Sequence, residues 1–145
     1  MQKVQKVGCG TGRNFPYLRE AIGPTRRIYG VDLSAGMLRK ARKLSDHHHW
    51  TNIHLTEGDA ANYVAPEPLD GVLFSLSYNT MPHHLTVLRR IWKQLRPGGR
   101  LVICTIIYPM LTRIATIAGL RRLFFCCRID VCFSQQWPEC LTSPR

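Results

Sequence analysis

Three glycines at alternate positions follow a short apolar run near the start of the chain: Gly8, Gly10 and Gly12. Glycine is needed where a backbone turns sharply or lets a ligand lie against it. A helical pattern comes next, and a helix N-terminus offers unpaired N–H groups and the positive end of a dipole. The combination is typical of a loop that binds a nucleotide or nucleoside, although a glycine loop alone is weak evidence.

Two carboxylates occupy matching places further along the chain. Asp32 ends the second strand pattern, 20 residues after Gly12, and Asp59 follows the third. Ligands of open parallel sheets bind beyond the carboxyl ends of the strands. There Asp32 could accept both hydroxyls of a ribose, and Asp59 could accept from the amine of an adenine. Leu33 and Met37 could sandwich the adenine ring, so the pattern predicts an adenosine compound.

A dinucleotide is the first alternative. Dinucleotide loops have the spacing Gly-x-Gly-x-x-Gly, whereas this loop is one residue tighter. The spacing alone does not decide between the two.

The elements that must position these residues alternate between strand and helix. Strand patterns cover residues 3–7, 27–31, 53–56, 69–75 and 100–107, and helical patterns separate them. This alternation predicts an α/β fold, a Rossmann-like and mostly parallel sheet of about five strands with helices on both faces. Beyond this core, residues 1–107, we expect a basic amphipathic helix at 108–128 and a poorly ordered tail at 129–145.

Four blocks occur together in a specific order: Val7–Arg13, Tyr29–Ala41, Glu57–Asp59 and Leu95–Val102. In that order and spacing the chain resembles the class I S-adenosylmethionine-dependent methyltransferases over roughly residues 3–107. It is most similar to the small, general-purpose methyltransferase domains that act on small molecules or lipids. The resemblance implies S-adenosyl-L-methionine as the cofactor. The residues that it implies around the cofactor are Gly8, Cys9, Gly10, Gly12, Asp32, Leu33, Met37, Asp59, Ala60 and Ser75.

The methyl acceptor would approach after the fourth strand in this family. His83 or His84 could act there as a base, because the pKa of histidine lies near neutrality. A solvent-exposed pair in the first turn of a helix is the favoured reading. The Asn/Asp-Pro-Pro-Tyr loop of enzymes that methylate amide or base nitrogens is replaced by residues 75–78, which disfavours a nucleic-acid base. We therefore expect a small-molecule or lipid head-group acceptor.

The chain also departs from the family pattern. Lys6 stands where the family usually has an acid, two residues before the first glycine, and should weaken binding of a cationic ligand. Helices that close over the cofactor before strand one have no counterpart, and neither has the C-terminal antiparallel hairpin. These departures, which suggest truncation at both ends, leave a degenerate, non-catalytic domain as an alternative function.

The net charge of +11, from 20 Lys and Arg against 9 Asp and Glu, favours acidic partners such as RNA or an anionic membrane surface. Solvated basic helix faces are the simpler explanation. A basic module that binds RNA or a membrane surface is a further alternative function, in which peripheral membrane contact is possible and nucleic acid is possible but not favoured. The chain opens directly into a strand pattern, and its six cysteines form no Cys-x-x-Cys pair. We expect reduced thiols and a cytoplasmic protein. The triplet at 47–49 is not expected to bind metal, and the sequence does not indicate an oligomeric state.

Overall fold

The protein's structure, a computed structural model, describes residues 2–105 and 128–133. Six strands form one sheet in the order β3-β2-β1-β4-β5-β6, and all neighbouring strands in this sheet run parallel. The strands are β1 Lys3–Val7, β2 Arg27–Asp32, β3 Ile53–Glu57, β4 Leu69–Ser75, β5 Leu95–Thr105 and β6 Arg128–Phe133. The predicted α/β fold with a Rossmann-like parallel sheet is confirmed.

In the part of the chain that the structure describes, three α-helices cover the two faces of this sheet. They are α1 Phe15–Ile22, α2 Ala35–His47 and α3 His84–Gln94, and a short 3₁₀ turn spans Tyr78–Thr80. Ser34 caps α2, since its hydroxyl accepts a hydrogen bond from the Met37 N–H at 3.3 Å. Asn14, which precedes α1, makes no side-chain cap bond to that helix.

The core consists of two apolar layers, one on each face of the sheet. Phe15 and Leu18 of α1 join Leu38 and Ala41 of α2 in one layer. In the other layer α3 is packed against β1, β4 and β5 through residues that include Val7, Phe74, Val87, Ile91 and Ile103. Helices therefore lie on both faces, and the strand ends between the layers are left to build a site.

Strand β5 begins at Leu95 and includes residues 96–99, whereas the sequence pattern predicts a strand from residue 100. Leu95 pairs with Leu69 and Arg100 pairs with Gly71, so the four residues 96–99 lie opposite the single residue Asp70. The bulge includes a φ of +79° at Gly98, which glycine tolerates. Helix α3 still ends at Gln94, as the Pro-Gly-Gly sequence predicts, but the strand begins immediately after it.

The prediction of a poorly ordered tail from residue 129 is wrong for residues 129–133, which belong to β6. Strand β6 pairs with β5 from Arg100↔Arg128 to Thr105↔Phe133. Its apolar residues, Ile129, Val131 and Phe133, alternate at the period of a strand, and β5 offers its edge for pairing. The predicted helix at 108–128 lies outside the described residues, except that Arg128 is in β6.

An ion cluster joins the strands at the amino-terminal edge of the sheet, opposite the site. Glu67 contacts Lys3 Nζ at 2.5 Å and Arg27 Nη1 at 2.7 Å, and accepts a hydrogen bond from the Tyr29 hydroxyl at 2.6 Å. Hydrogen bonds from Lys3 and Tyr29 lower the pKa of Glu67 to about 2. Over residues 2–105 and 128–133, no helix has both the length and the apolarity needed to span a membrane.

Candidate functional site

The turn after β1 depends on glycine at two positions where side chains crowd it. Gly8 has a φ of +62° and Gly12 a φ of +82°. A Cβ on Gly8 would lie 2.6 Å from the Cβ of Ser77, and one on Gly12 would lie 2.7 Å from the ring of Phe15. A Cβ on Gly10 would meet nothing within 4 Å. The turn is therefore pressed against its neighbours at both ends and open in the middle.

The carboxylate of Asp32 holds the open part of this turn. Its Oδ2 accepts a hydrogen bond from the Gly10 N–H at 2.7 Å, and its Oδ1 accepts one from the Ser34 N–H at 2.9 Å. An ionised carboxylate has about four lone-pair positions. Because backbone groups use two of them, Asp32 is fixed in place and keeps the capacity to accept from a ligand.

A backbone hydrogen bond joins the ends of β2 and β3. The Gly58 N–H donates to the Asp32 carbonyl at 3.0 Å. The Asp59 carboxylate accepts from the Ala61 N–H at 2.8 Å through Oδ1. Both predicted acids therefore face one edge of the sheet with backbone-oriented carboxylates.

The chain after β4 forms the opposite side of the site. Leu76 has a φ of +56°, which is costly for a branched side chain and is typical of functional sites. Its N–H donates to the Cys104 carbonyl at 2.8 Å, and the Ser77 hydroxyl donates to the Val7 carbonyl at 2.6 Å. These two bonds hold the loop against β1 and β5 and leave the Leu76 side chain exposed.

Ser75 and the two histidines occupy different positions on this side. The Asn14 amide donates to the Ser75 hydroxyl at 3.5 Å, which connects α1 to β4. His83 is exposed and lines the site, whereas the Nδ1 of His84 lies 3.3 Å from the Met81 carbonyl. The ring of His84 is edge-on to that of Tyr78. Of the two candidate bases, only His83 lines the site.

Lys6 lies beneath the glycine turn with only 1% of its surface exposed. Its Nζ donates to the carbonyls of Gly8 at 2.8 Å and Val7 at 3.0 Å. Burial lowers the pKa of Lys6 from 10.5 to about 8, although the nearby Asp32 acts in the opposite direction. The departure noted in the sequence is therefore a buried ammonium group under the site and not a side chain within it.

The thiols of Cys9 and Cys104, beside Lys6, are unreactive. Burial raises the pKa of Cys9 to about 12 and that of Cys104 to about 11. Both are free cysteines, and both stay protonated near neutral pH. Because the thiolate is the reactive form, neither is a candidate nucleophile.

Together, these elements line a cleft of about 490 Å³. The residues of the sequence prediction that line it are Gly8, Gly10, Asp32, Leu33, Met37, Asp59, Ala60, Ser75 and His83. Three predicted residues, Cys9, Gly12 and His84, do not line it. In the described ranges, no group of three or more His, Cys, Asp or Glu side chains could hold a metal ion.

Sequence reasoning missed half of the lining. The missed residues are Val31, Ser34, Gly58, Leu76, Ser77, Thr80, Met81, Pro82 and Val87. Most of them follow β4, where the sequence has no recognisable motif. The only available signal was their place after a strand that is apolar enough to be buried on both faces.

The chain is similar in sequence to known methyltransferases. A family model described as a methyltransferase domain matches residues 4–99. The chain is 30% identical over 125 residues to a demethylmenaquinone methyltransferase of Geobacillus sp. strain WCH70, which covers 86% of this chain and 51% of that protein. It is 33% identical over 102 residues to a trans-aconitate 2-methyltransferase of Rhodopseudomonas palustris strain BisB18, covering 70% and 38%. The chain thus spans about half the length, or less, of these curated relatives.

A solved structure agrees at the level of the fold. A SAM-dependent methyltransferase from Aquifex aeolicus superimposes with a TM-score of 0.63 at 21% sequence identity, covering 70% of this chain and 55% of that one. The parallel sheet and its helices are therefore shared with methyltransferases. With the family model matching more than half of its length, the chain belongs to the methyltransferase domain family.

Proposed function

We propose that this chain binds S-adenosyl-L-methionine and takes part in methyl transfer to a small-molecule acceptor. The observation that carries the proposal is the cleft, which joins the glycine turn, Asp32 and Asp59 on one side to the residues after β4 on the other. Membership of the methyltransferase domain family supports it. Each side of the cleft supplies a different part of the activity.

The side formed by β1, β2 and β3 fits an adenosine group. Asp32 has carboxylate capacity left for ribose hydroxyls, because backbone N–H groups use only part of it. Leu33 and Met37 are apolar yet 69% and 43% exposed at the rim, where an adenine ring would cover them. Asp59 would accept from the adenine amine beside Ala60. The open space beside Gly10 leaves room for the amino-acid part of the ligand.

The chemistry needs alignment more than a strong acid or base. When bound, the sulfonium of S-adenosylmethionine supplies an electrophilic methyl group that a nucleophile displaces in line. The protein's part is to hold the acceptor opposite that methyl group and to exclude water. His83 would take a proton from an acceptor that carries one, since its side chain is the titratable group on the acceptor side of the lining.

We propose that the acceptor is a small, uncharged and largely apolar molecule. On the acceptor side the described lining consists of the apolar residues and hydroxyl groups of the loop after β4, with His83. Among the lining residues that the structure describes, none is Lys or Arg. A tricarboxylate or a phosphate head group would be left there without a cationic partner. A hydroxylated ring such as a quinol fits this lining better.

The test is transfer of tritium-labelled methyl groups from S-adenosylmethionine at pH 7.5. A demethylmenaquinol with a shortened side chain and trans-aconitate are the two acceptors. We expect label on the quinol alone, and an at least tenfold loss in Asp32→Asn. Asp46→Asn, an exposed change on α2, is the matched control and should leave the rate unchanged. Label on trans-aconitate but not on the quinol would contradict the proposed acceptor class.

A second candidate function is a domain that binds an adenosyl ligand without transferring its methyl group. The buried ammonium of Lys6 favours it, because a cation beneath the turn opposes a cationic donor. Saturable binding of S-adenosylhomocysteine with no label transferred to any acceptor would support this alternative over the first.

The exposed basic residues and the free thiols bear on further partners and on the compartment. The basic residues Arg39, Lys40, Arg42 and Lys43 are exposed on α2, which agrees with a solvated helix face. Binding to RNA or to anionic vesicles that falls steeply with salt would indicate a separate role for them. The free thiols of Cys9 and Cys104 agree with a reducing compartment, and we propose the cytoplasm.

A further inference from the structure

A positive charge is built into the wall of the cleft behind its lining. The Lys6 ammonium is bonded to the carbonyls of Val7 and Gly8, and Gly8 itself lines the cleft. The side chain is 1% exposed, so it does not touch a ligand and is not surrounded by water. One residue of the turn separates this charge from whatever the cleft holds.

We propose that Lys6 makes the cleft select adenosyl ligands by charge, so that it binds a neutral thioether more tightly than the corresponding cationic sulfonium. This inference rests on the proposed function, because it assumes that the cleft binds an adenosyl group. Lys6 is in this account a specificity-determining residue that acts through the glycine turn, and not a catalytic residue.

The size of the effect follows from the surroundings of the ammonium. At an effective dielectric constant of about 20, two unit charges on either side of a turn repel each other enough to change affinity by about tenfold or more. Asp32 offsets part of this repulsion, since its carboxylate holds the Gly10 N–H on the other side of the turn. We therefore expect about tenfold discrimination when Lys6 is protonated.

The selection should depend on pH through the charge of Lys6 itself. Those that act on its ammonium are Cys9, Asp32 and Cys104, and both thiols remain neutral until the pH approaches 11. On the packed helices, Arg19 lies over the ring of Trp50. The other charged residues of α1 and α2 are exposed: Glu20, Arg39, Lys40, Arg42, Lys43 and Asp46. Lys6 is thus the group whose charge changes near pH 8, and its loss of a proton would relieve the discrimination.

The selection has a consequence for turnover. Methyl transfer converts a sulfonium into a thioether, so the spent ligand lacks the charge that Lys6 opposes. Below pH 8 the product would therefore bind more tightly than the donor and inhibit further cycles. Above that pH the difference would decrease.

The experiment measures the affinities of two ligands that differ only in this charge. They are 5′-methylthioadenosine and its S-methyl sulfonium, neither of which titrates between pH 6.5 and 9.5. Calorimetry of the intact chain should give an affinity ratio of thioether to sulfonium that falls about tenfold from pH 6.5 to 9.5. In Lys6→Met the ratio should be low and independent of pH. Loss of the bonds to Val7 and Gly8 alone would weaken both ligands equally and leave the ratio unchanged.

Lys3→Met is the matched control, because Lys3 lies at the far end of β1 and contacts Glu67. It should keep the wild-type ratio at both pH values. A wild-type ratio that does not change with pH, or a Lys6→Met ratio equal to that of the wild type, would overturn the inference while leaving the proposed function intact. If neither ligand nor S-adenosylhomocysteine binds the wild type, both fail. The wild-type pH series decides the matter even if Lys6→Met does not fold.

Discussion

The two sides of the cleft are held by different interactions. On the side of β2 and β3, the Ser34 and Ala61 N–H groups donate to the carboxylates of Asp32 and Asp59 within short turns at the strand ends. The Gly10 N–H also reaches Asp32, from the turn after β1. On the side of β4, the loop is held by bonds from Leu76 and Ser77 to neighbouring strands. The β2 and β3 side thus contains two local turn motifs in addition to its long-range bonds, whereas the bonds that hold the β4 loop to β1 and β5 are all long-range. A local motif can be read from a sequence, whereas packing between distant segments cannot.

The glycine turn connects the two sides, and its substitution should give the largest effect. Gly8→Ala places a Cβ at 2.6 Å from the Ser77 Cβ in a left-handed conformation. We expect it to lower the free energy of unfolding by about 3 kcal/mol, from overpacking and backbone strain together. Urea unfolding followed by circular dichroism measures the change.

Gly10→Ala is the control for this substitution, because it has a similar φ of +57° and open space around it. It should cost only about 1 kcal/mol, the strain alone. Equal losses in the two variants would mean that the contact between the turn and Ser77 does not hold the two sides together.

Removal of the charge beneath the turn should have the next largest effect, and it should be stabilising. The folded-state pKa of Lys6 is lowered to about 8, so the unfolded state binds more protons between pH 8 and 10.5. The cost of burying the ammonium is fully present below pH 8 and disappears as the pH rises toward 10.5. Lys6→Met should therefore raise the free energy of unfolding at pH 7 by about 2 kcal/mol, less than the full shift because two hydrogen bonds are lost.

The pH dependence supplies the control for this prediction. Between pH 7 and 9 the wild type should gain stability relative to Lys6→Met, and the difference between them should shrink. Above pH 9 the thiols of Cys9 and Cys104 ionise in the unfolded state but not in the folded state, because burial raises their folded-state pKa values. This lowers the free energy of unfolding as the pH rises, so the comparison is made below pH 9. A difference that stays constant over this range would contradict the assigned pKa.

The local motifs explain how much of the fold and the cleft the sequence predicts. Asp32 and Asp59 follow strand patterns that the sequence carries within a few residues, and both lie in the cleft. Gly12 belongs to the same motif, but its glycine serves the contact with Phe15 and it does not line the cleft. Pattern reasoning identifies the turn without distinguishing which glycine contacts a ligand and which one permits packing.

The parts that could not be predicted depend on long-range pairing. Strand β6 is as long as β2, but its place in the sheet depends on pairing with the edge of β5. The positive φ of Leu76 arises because its N–H reaches the Cys104 carbonyl while the next residue bonds to β1. The alternation of apolar residues in β6 is compatible with a strand but does not say which strand it pairs with, and no glycine or turn motif marks the positive φ of Leu76.

A change on the acceptor side should affect turnover and spare ligand binding. His83→Ala should lower kcat for a protonated acceptor by about tenfold or more, because it removes the candidate base, and leave the affinity for S-adenosylhomocysteine within about twofold. His84→Ala is the control, since His84 does not line the cleft and its ring contacts the Met81 carbonyl and the ring of Tyr78. Equal losses of kcat in both variants would argue against a base at position 83.

The smallest effect is expected on the rim of the adenosine side. Met37→Ala removes part of an exposed apolar surface that an adenine ring would cover. The affinity for S-adenosylhomocysteine should fall by about threefold, as expected for partial loss of apolar burial. Leu85→Ala, an exposed apolar change on α3 outside the cleft lining, should not alter the affinity.

The central claim is that the Asp32 side of the cleft binds the adenosine group. Calorimetric titration of the wild type and Asp32→Ala with S-adenosylhomocysteine tests it most directly. The account predicts saturable binding by the wild type and about a hundredfold weaker binding by the variant, because hydrogen bonds to a charged acceptor are lost. Equal affinities in two proteins with the same circular dichroism spectrum, or no binding by the wild type, would contradict it.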